Sequence, residues 1–130
     1  MAGKRAVKRA ETMTPCELAI RAARIAADNN CEEIIVLDLR EISPITDYFV
    51  IATGTSGRQM RSVADELSQY GKSVGHRPWH IAGEEVADWI VLDFVDVVVH
   101  LFDETLRRHY DLELIWGESP RVSWQRETPA

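Results

Sequence analysis

Two apolar runs near the C-terminal third constrain the fold more than any other feature. They are WIVLDF (residues 89–94) and DVVVHLF (residues 96–102). Both are rich in β-branched and aromatic residues, and almost nothing separates them. That spacing predicts two strands joined as an antiparallel hairpin. Alternation along each strand then sorts the side chains into two faces. Ile90, Leu92 and Phe94 form a wholly apolar set, as do Val97, Val99 and Leu101, and these are assigned to the core. Trp89, Val91 and Asp93 fall on the other face, with Asp96, Val98, His100 and Phe102. This mixed face reads as the less buried one, and as a recognition surface more than a catalytic pocket.

The remaining pattern fits a single domain of 130 residues. Thr14-Pro15-Cys16-Glu17 has the form of a capping box, and Leu18, Ala22, Ile25 and Ala26 follow at helical spacing until Asn29-Asn30. EIIVLDL (33–39) and YFVIATG (48–54) read as buried strands, with REISPITD between them. Ser56 and Gln59 repeat the capping logic before a helix striped by Met60, Val63, Ala64, Leu67 and Tyr70, which Gly71 is expected to close. A third strand is expected within 74–81, and a helix, or a helix and a short strand, over TLRRHYDLELIW. The expected fold class is α/β, a mixed sheet flanked by helices. Residues 1–13 read as a flexible basic arm, 14–118 as the domain, and 119–130 as a C-terminal tail that frays.

Charge is unevenly distributed. The net charge is −6, yet residues 1–15 carry Lys4, Arg5, Lys8 and Arg9 against Glu11 alone. Residues 81–118 carry ten acids, among them Glu84, Glu85, Asp88 and Asp93, against only Arg107 and Arg108. An acidic folded half argues against binding a phosphate backbone, DNA included, and suits a basic protein partner. No apolar run approaches the roughly twenty residues of a membrane span, and no secretory signal pattern begins the chain. Cys16 and Cys31 stand about 22 Å apart along a helix, too far for a disulfide, and fit reduced thiols. The expected location is the cytoplasm.

The catalytic alternatives fit less well. Gly54-Thr55-Ser56 before a helix matches the first half of a nucleotidyltransferase signature, but no Asp-x-Asp follows on the next strand. Asp93 and Asp96 are three residues apart, and strand geometry sends such positions to opposite faces, whereas magnesium needs converging carboxylates. His76 and His80 flank RPW without a third ligand. No cofactor, metal or catalytic residue is expected. The open alternatives are a nucleotide- or metal-dependent enzyme of nucleotidyltransferase type, and an acidic adaptor for another basic protein.

Four stretches taken together are more specific: LDLREISPITDYFVIATGTSGRQ with the SVADEL that follows, ADWIVLDFVDVVVHLF, and RRHYDLELIWG. In this order and spacing they closely resemble the ribosomal silencing factor, or Iojap-like, family over about residues 14–118. The resemblance implies a nucleotidyltransferase-like α/β fold without the catalytic acids. It implies a non-enzymatic translational repressor that binds the large ribosomal subunit through large-subunit ribosomal protein fourteen and blocks association with the small subunit. The tryptophan of the family's A-D-W motif falls on Trp89 and resembles an interface residue. By strand parity the docking face extends to Val91, Asp93, His100 and Phe102, and by charge to Glu84, Glu85 and Asp88. The four cations within the first nine residues suit a minor contact with ribosomal RNA. Two positions depart from the family pattern. Val95 stands where a glycine precedes the hairpin aspartate, so a turn with positive φ would be strained, and another turn geometry or a different connection is expected. Ala82-Gly83 replaces Glu-Gly, so no contact of that glutamate carries over.

Overall fold

The computed structural model describes residues 13–111 and 118–126. The arm over 1–12 and the apolar stretch 112–117 lie outside the described residues. The chain runs through α1 (Pro15–Asp28), β1 (Glu32–Asp38), β2 (Tyr48–Thr53), α2 (Gly57–Ser73), β3 (His80–Ala82), β4 (Trp89–Asp93), β5 (Val97–Phe102) and α3 (Glu104–His109). The strands form one mixed sheet in the order β1-β2-β5-β4-β3. Among the described strands β2 and β5 pair in parallel, while β1–β2, β5–β4 and β4–β3 are antiparallel. Thus β2 and β3 run the same way, and α2 carries the chain across two intervening strands.

Local chemistry sets the helix ends. Thr14 Oγ1 accepts from the Glu17 N–H at 3.1 Å, while Glu17 Oε1 accepts from the Thr14 N–H at 2.9 Å, so two free donors are satisfied at once. Asn30 is left-handed at φ 68°. The Cys31 N–H returns to the Ala26 carbonyl and the Asn30 N–H to that of Ala27, both at 3.0 Å, which is a Schellman close. The second helix ends the same way, but not at Gly71. Gly75 takes the left-handed position at φ 83°, and the His76 N–H reaches the Gly71 carbonyl at 2.7 Å. Gly71 lies inside the helix for a packing reason. A Cβ there would sit 2.5 Å from the His76 carbonyl oxygen and 2.7 Å from the Phe94 ring.

Helices α1 and α2 cover the sheet face that carries Val36, Val50, Ala52, Ile90, Leu92, Val97, Val99 and Leu101, all buried. The strand parity read from sequence holds for both hairpin strands. On the opposite face a smaller cluster forms from Leu37, Leu39, Ile51 and Phe102, with Ile35, Phe49, Trp89 and Leu106 against it. The C-terminal residues 120–124 do not fray as expected. The Asp38 N–H donates to the Pro120 carbonyl at 2.8 Å and the Val122 N–H to the Val36 carbonyl at 2.9 Å. Leu37 and Arg121 form an antiparallel bridge, and Trp124 Nε1 donates to the Ile34 carbonyl at 3.2 Å. The tail thereby occupies hydrogen-bonding groups that the edge strand β1 would otherwise leave free.

Candidate docking face

Trp89 opens β4 opposite Phe102 on β5, and Val91 pairs with His100. The face assigned to Trp89, Val91, Asp93, His100 and Phe102 therefore exists as one side of the hairpin. Its depth differs from expectation. Trp89, Val91 and Asp93 are half-buried, but His100 is only 7% exposed and Phe102 is fully buried. They lie beneath the surface as its support. The reason is aromatic layering, which strand parity does not report. The Trp89 ring centroid is 4.8 Å from that of Phe102 and 5.2 Å from that of Tyr110. Tyr110, just past α3, is exposed. Sequence reading missed it, although its place after the short Glu104–His109 helix returns it to the hairpin.

Trp89 is also held by a polar bond. Its Nε1–H donates to His100 Nδ1 at 3.2 Å, so the imidazole proton sits on Nε2. That atom is buried and has no hydrogen-bond partner among the described residues. The Phe49 ring meets the imidazole edge-on at 4.6 Å. Burial lowers the His100 pKa to about 4, because desolvation penalises the cationic form. A neutral histidine with its acceptor nitrogen committed to an indole is arranged to hold that indole in place.

The acids divide among several tasks. Asp93 Oδ1 accepts from the Val95 N–H at 2.7 Å and caps the hairpin turn. Asp103 caps α3 by accepting from the Leu106 N–H at 2.8 Å, and its own N–H donates to the Asp88 carbonyl at 2.8 Å. Arg61 of α2 donates to the backbone carbonyls of Glu84 and Glu85 at 2.8 and 2.7 Å. Glu84, Glu85 and Asp88 thus sit on a loop pinned beside the start of β4, at the Trp89 end of the sheet. Asp93 lies at the other end, about 13 Å away along the strand. His76 Nε2 donates to the Met13 carbonyl at 2.5 Å, while His80 lies on β3 beside Trp79. Among the described residues no group of three or more His, Cys, Asp or Glu could hold a metal ion.

Val95 resolves the departure noted above. The hairpin forms, and Val95 takes φ 75° while the Asp96 N–H donates to the Phe94 carbonyl at 3.0 Å. That is a γ-turn of the rarer, strained sense. The expectation of another turn geometry or a different connection therefore fails: the hairpin holds positive φ at this position, with the strain of a branched side chain in it.

A profile described as "ribosomal silencing factor during starvation" matches residues 12–130. The chain belongs to the ribosomal silencing factor family. It is 36% identical over 110 residues to the ribosomal silencing factor RsfS of Halalkalibacterium halodurans, covering 85% of this chain and 94% of that protein. It is 34% identical over 90 residues to a mouse protein named for mitochondrial assembly of the ribosomal large subunit, covering 67% of this chain and 40% of that longer one. A crystal structure of a Chromobacterium violaceum protein superposes with a TM-score of 0.77 at 29% identity, covering 88% of this chain and 95% of that one.

Proposed function

We propose that this member of the family is a non-enzymatic translational repressor in the cytoplasm. It binds the large ribosomal subunit through large-subunit ribosomal protein fourteen and blocks association with the small subunit. One observation carries the reading: Trp89 is pre-positioned by His100, Phe102 and Tyr110 beside the acidic residues Glu84, Glu85 and Asp88. A rigid aromatic anchor within an acidic surround fits a basic protein surface, because little side-chain freedom is left to lose on binding. The family membership and the ribosomal names of the relatives support the large ribosomal subunit as the partner. The basic arm is assigned a minor contact with ribosomal RNA.

Co-sedimentation with purified large subunits, and with joined ribosomes, tests this. The protein is expected to travel with large subunits and to be depleted from joined ribosomes. Truncating an anchor residue typically weakens binding by about 2 kcal/mol, or some thirtyfold, so Trp89→Glu should lose co-sedimentation while keeping the native circular dichroism. Unchanged binding by that variant would remove Trp89 from the interface.

A further inference from the structure

At the far end of the sheet from Trp89, three loops distant in sequence meet. The hairpin turn presents Val95, the β1–β2 connector presents Ile45, and the segment before β3 presents Trp79. Their exposures are 53%, 83% and 75%, far above what large apolar side chains need show in a fold with a complete core. They are not scattered. With Val98, Asp93 and Thr46 they line one cavity of about 360 Å³.

Backbone bonds hold the three loops together. The Asp47 and Tyr48 N–H groups both donate to the Asp96 carbonyl at 3.0 Å, which ties the connector to the hairpin turn. The Trp79 N–H donates to the Asp93 carbonyl at 2.7 Å. Ser43 Oγ accepts from the Ile45 N–H at 3.1 Å and fixes the bend that turns Ile45 outward. The pocket is therefore built before anything enters it. Thr46 lines its inner side and is itself only 5% exposed. Asp93 uses one carboxylate oxygen on the Val95 N–H, leaving the other at the rim.

We propose that this pocket is a second anchoring point for the ribosomal protein partner, seating one aliphatic or aromatic side chain of a basic polypeptide segment. Asp93 pairs with a cation beside the seated side chain. The proposal rests on the docking function above and extends its interface from Trp89 through Val91 and Asp93 to the opposite sheet end. Charge selects the occupant. Asp93 lines the pocket, Asp47 and Asp96 adjoin its lining residues Thr46 and Val95 in sequence, and no Lys or Arg is among its described lining residues, which disfavours nucleic acid and anionic lipid. A second copy brought in by twofold symmetry would set these same acids against each other.

The test is quantitative co-sedimentation of the full chain with purified large subunits, comparing Ile45→Asp, Trp79→Ala and Asp93→Asn with Trp89→Glu. Ile45 and Trp79 are exposed, so their variants should unfold with the parent, and each should bind at least about tenfold more weakly. A benzoylphenylalanine crosslinker at position 45 should capture a large-subunit protein. Parent-like affinity for Ile45→Asp and Trp79→Ala, with Trp89→Glu defective, would overturn the pocket and leave the docking function standing. Failure of the parent to bind large subunits would overturn both. Crosslinks confined to ribosomal RNA, or self-association that Ile45→Asp abolishes, would overturn the assigned occupant.

Discussion

Val95 offers a direct measurement of backbone strain. A left-handed conformation costs a residue with a Cβ roughly 1–2 kcal/mol, and glycine nothing comparable. Glycine in turn gives up about 0.5–1 kcal/mol through the greater freedom of its unfolded chain. At an ordinary position Ala is therefore the more stable of the two. At φ 75° the order should reverse, with Val95→Gly exceeding Val95→Ala by about 0.5–1 kcal/mol. Comparing the two variants with each other, and not with the parent, removes the isopropyl contacts that both have lost. Val95 is about half exposed, so neither replacement opens an enclosed cavity.

Urea denaturation followed by tryptophan fluorescence reads the difference. With m about 1.5–2 kcal/mol per molar for a domain of this size, the Gly variant's midpoint should lie about 0.3–0.7 M above that of Ala, at equal m. An Ala variant as stable as the Gly variant, or more so, would mean that the turn relaxes to negative φ without penalty. The γ-turn and its Asp93 cap would then not be what joins β4 to β5.

His100 predicts a pH dependence with a definite sign. The unfolded residue takes a proton below its ordinary value of 6.5, while burial holds the folded residue neutral down to about 4. Within that window the unfolded state binds more protons, so stability falls as pH falls from 6.5 to 4 and is fully present above 6.5. The contribution is about 3 kcal/mol at most. It should be missing from His100→Gln when urea midpoints of the two proteins are followed from pH 7 to pH 4.5; parallel curves would refute it. Gly83 makes a sterner prediction. It has φ 89°, and a Cβ would fall 2.0 Å from the Trp89 carbonyl oxygen. Gly83→Ala should lose more than about 2 kcal/mol and should displace the start of β4, visible as reduced binding to large subunits.

Features decided by adjacent residues were legible in the sequence. The Thr14–Glu17 box depends on positions three apart, and the sorting of Ile90, Leu92, Val97, Val99 and Leu101 depends only on strand alternation. What the sequence left open was decided by contacts between distant segments. Gly71 and Gly75 are equally plausible helix ends until Phe94 is known to press against the first. Residues 120–124 look like a polar tail until they meet β1. The three sides of the Ile45–Trp79–Val95 pocket come from loops that share no periodicity. Val95 was noticed only as an irregular turn residue, whereas its side chain forms part of an apolar wall.

His100 shows why a side chain's face and its task are separate questions. A histidine among acids on a strand invites a catalytic reading, and alternation does place it on the same face as Trp89 and Asp93. The indole N–H then takes Nδ1, which forces the proton onto Nε2, where it meets no acceptor among the described residues. A buried donor left in that state costs about 1–3 kcal/mol, so the pair adds little to stability. What it gives is direction. The acceptor at Nδ1 fixes the edge of the indole whose faces pack on Phe102 and Tyr110. A buried polar pair that fixes one orientation at some expense in stability suits a surface that must present the same anchor each time it binds. An acid–base catalyst would instead need its imidazole within reach of solvent or substrate and near its ordinary pKa, and His100 has neither.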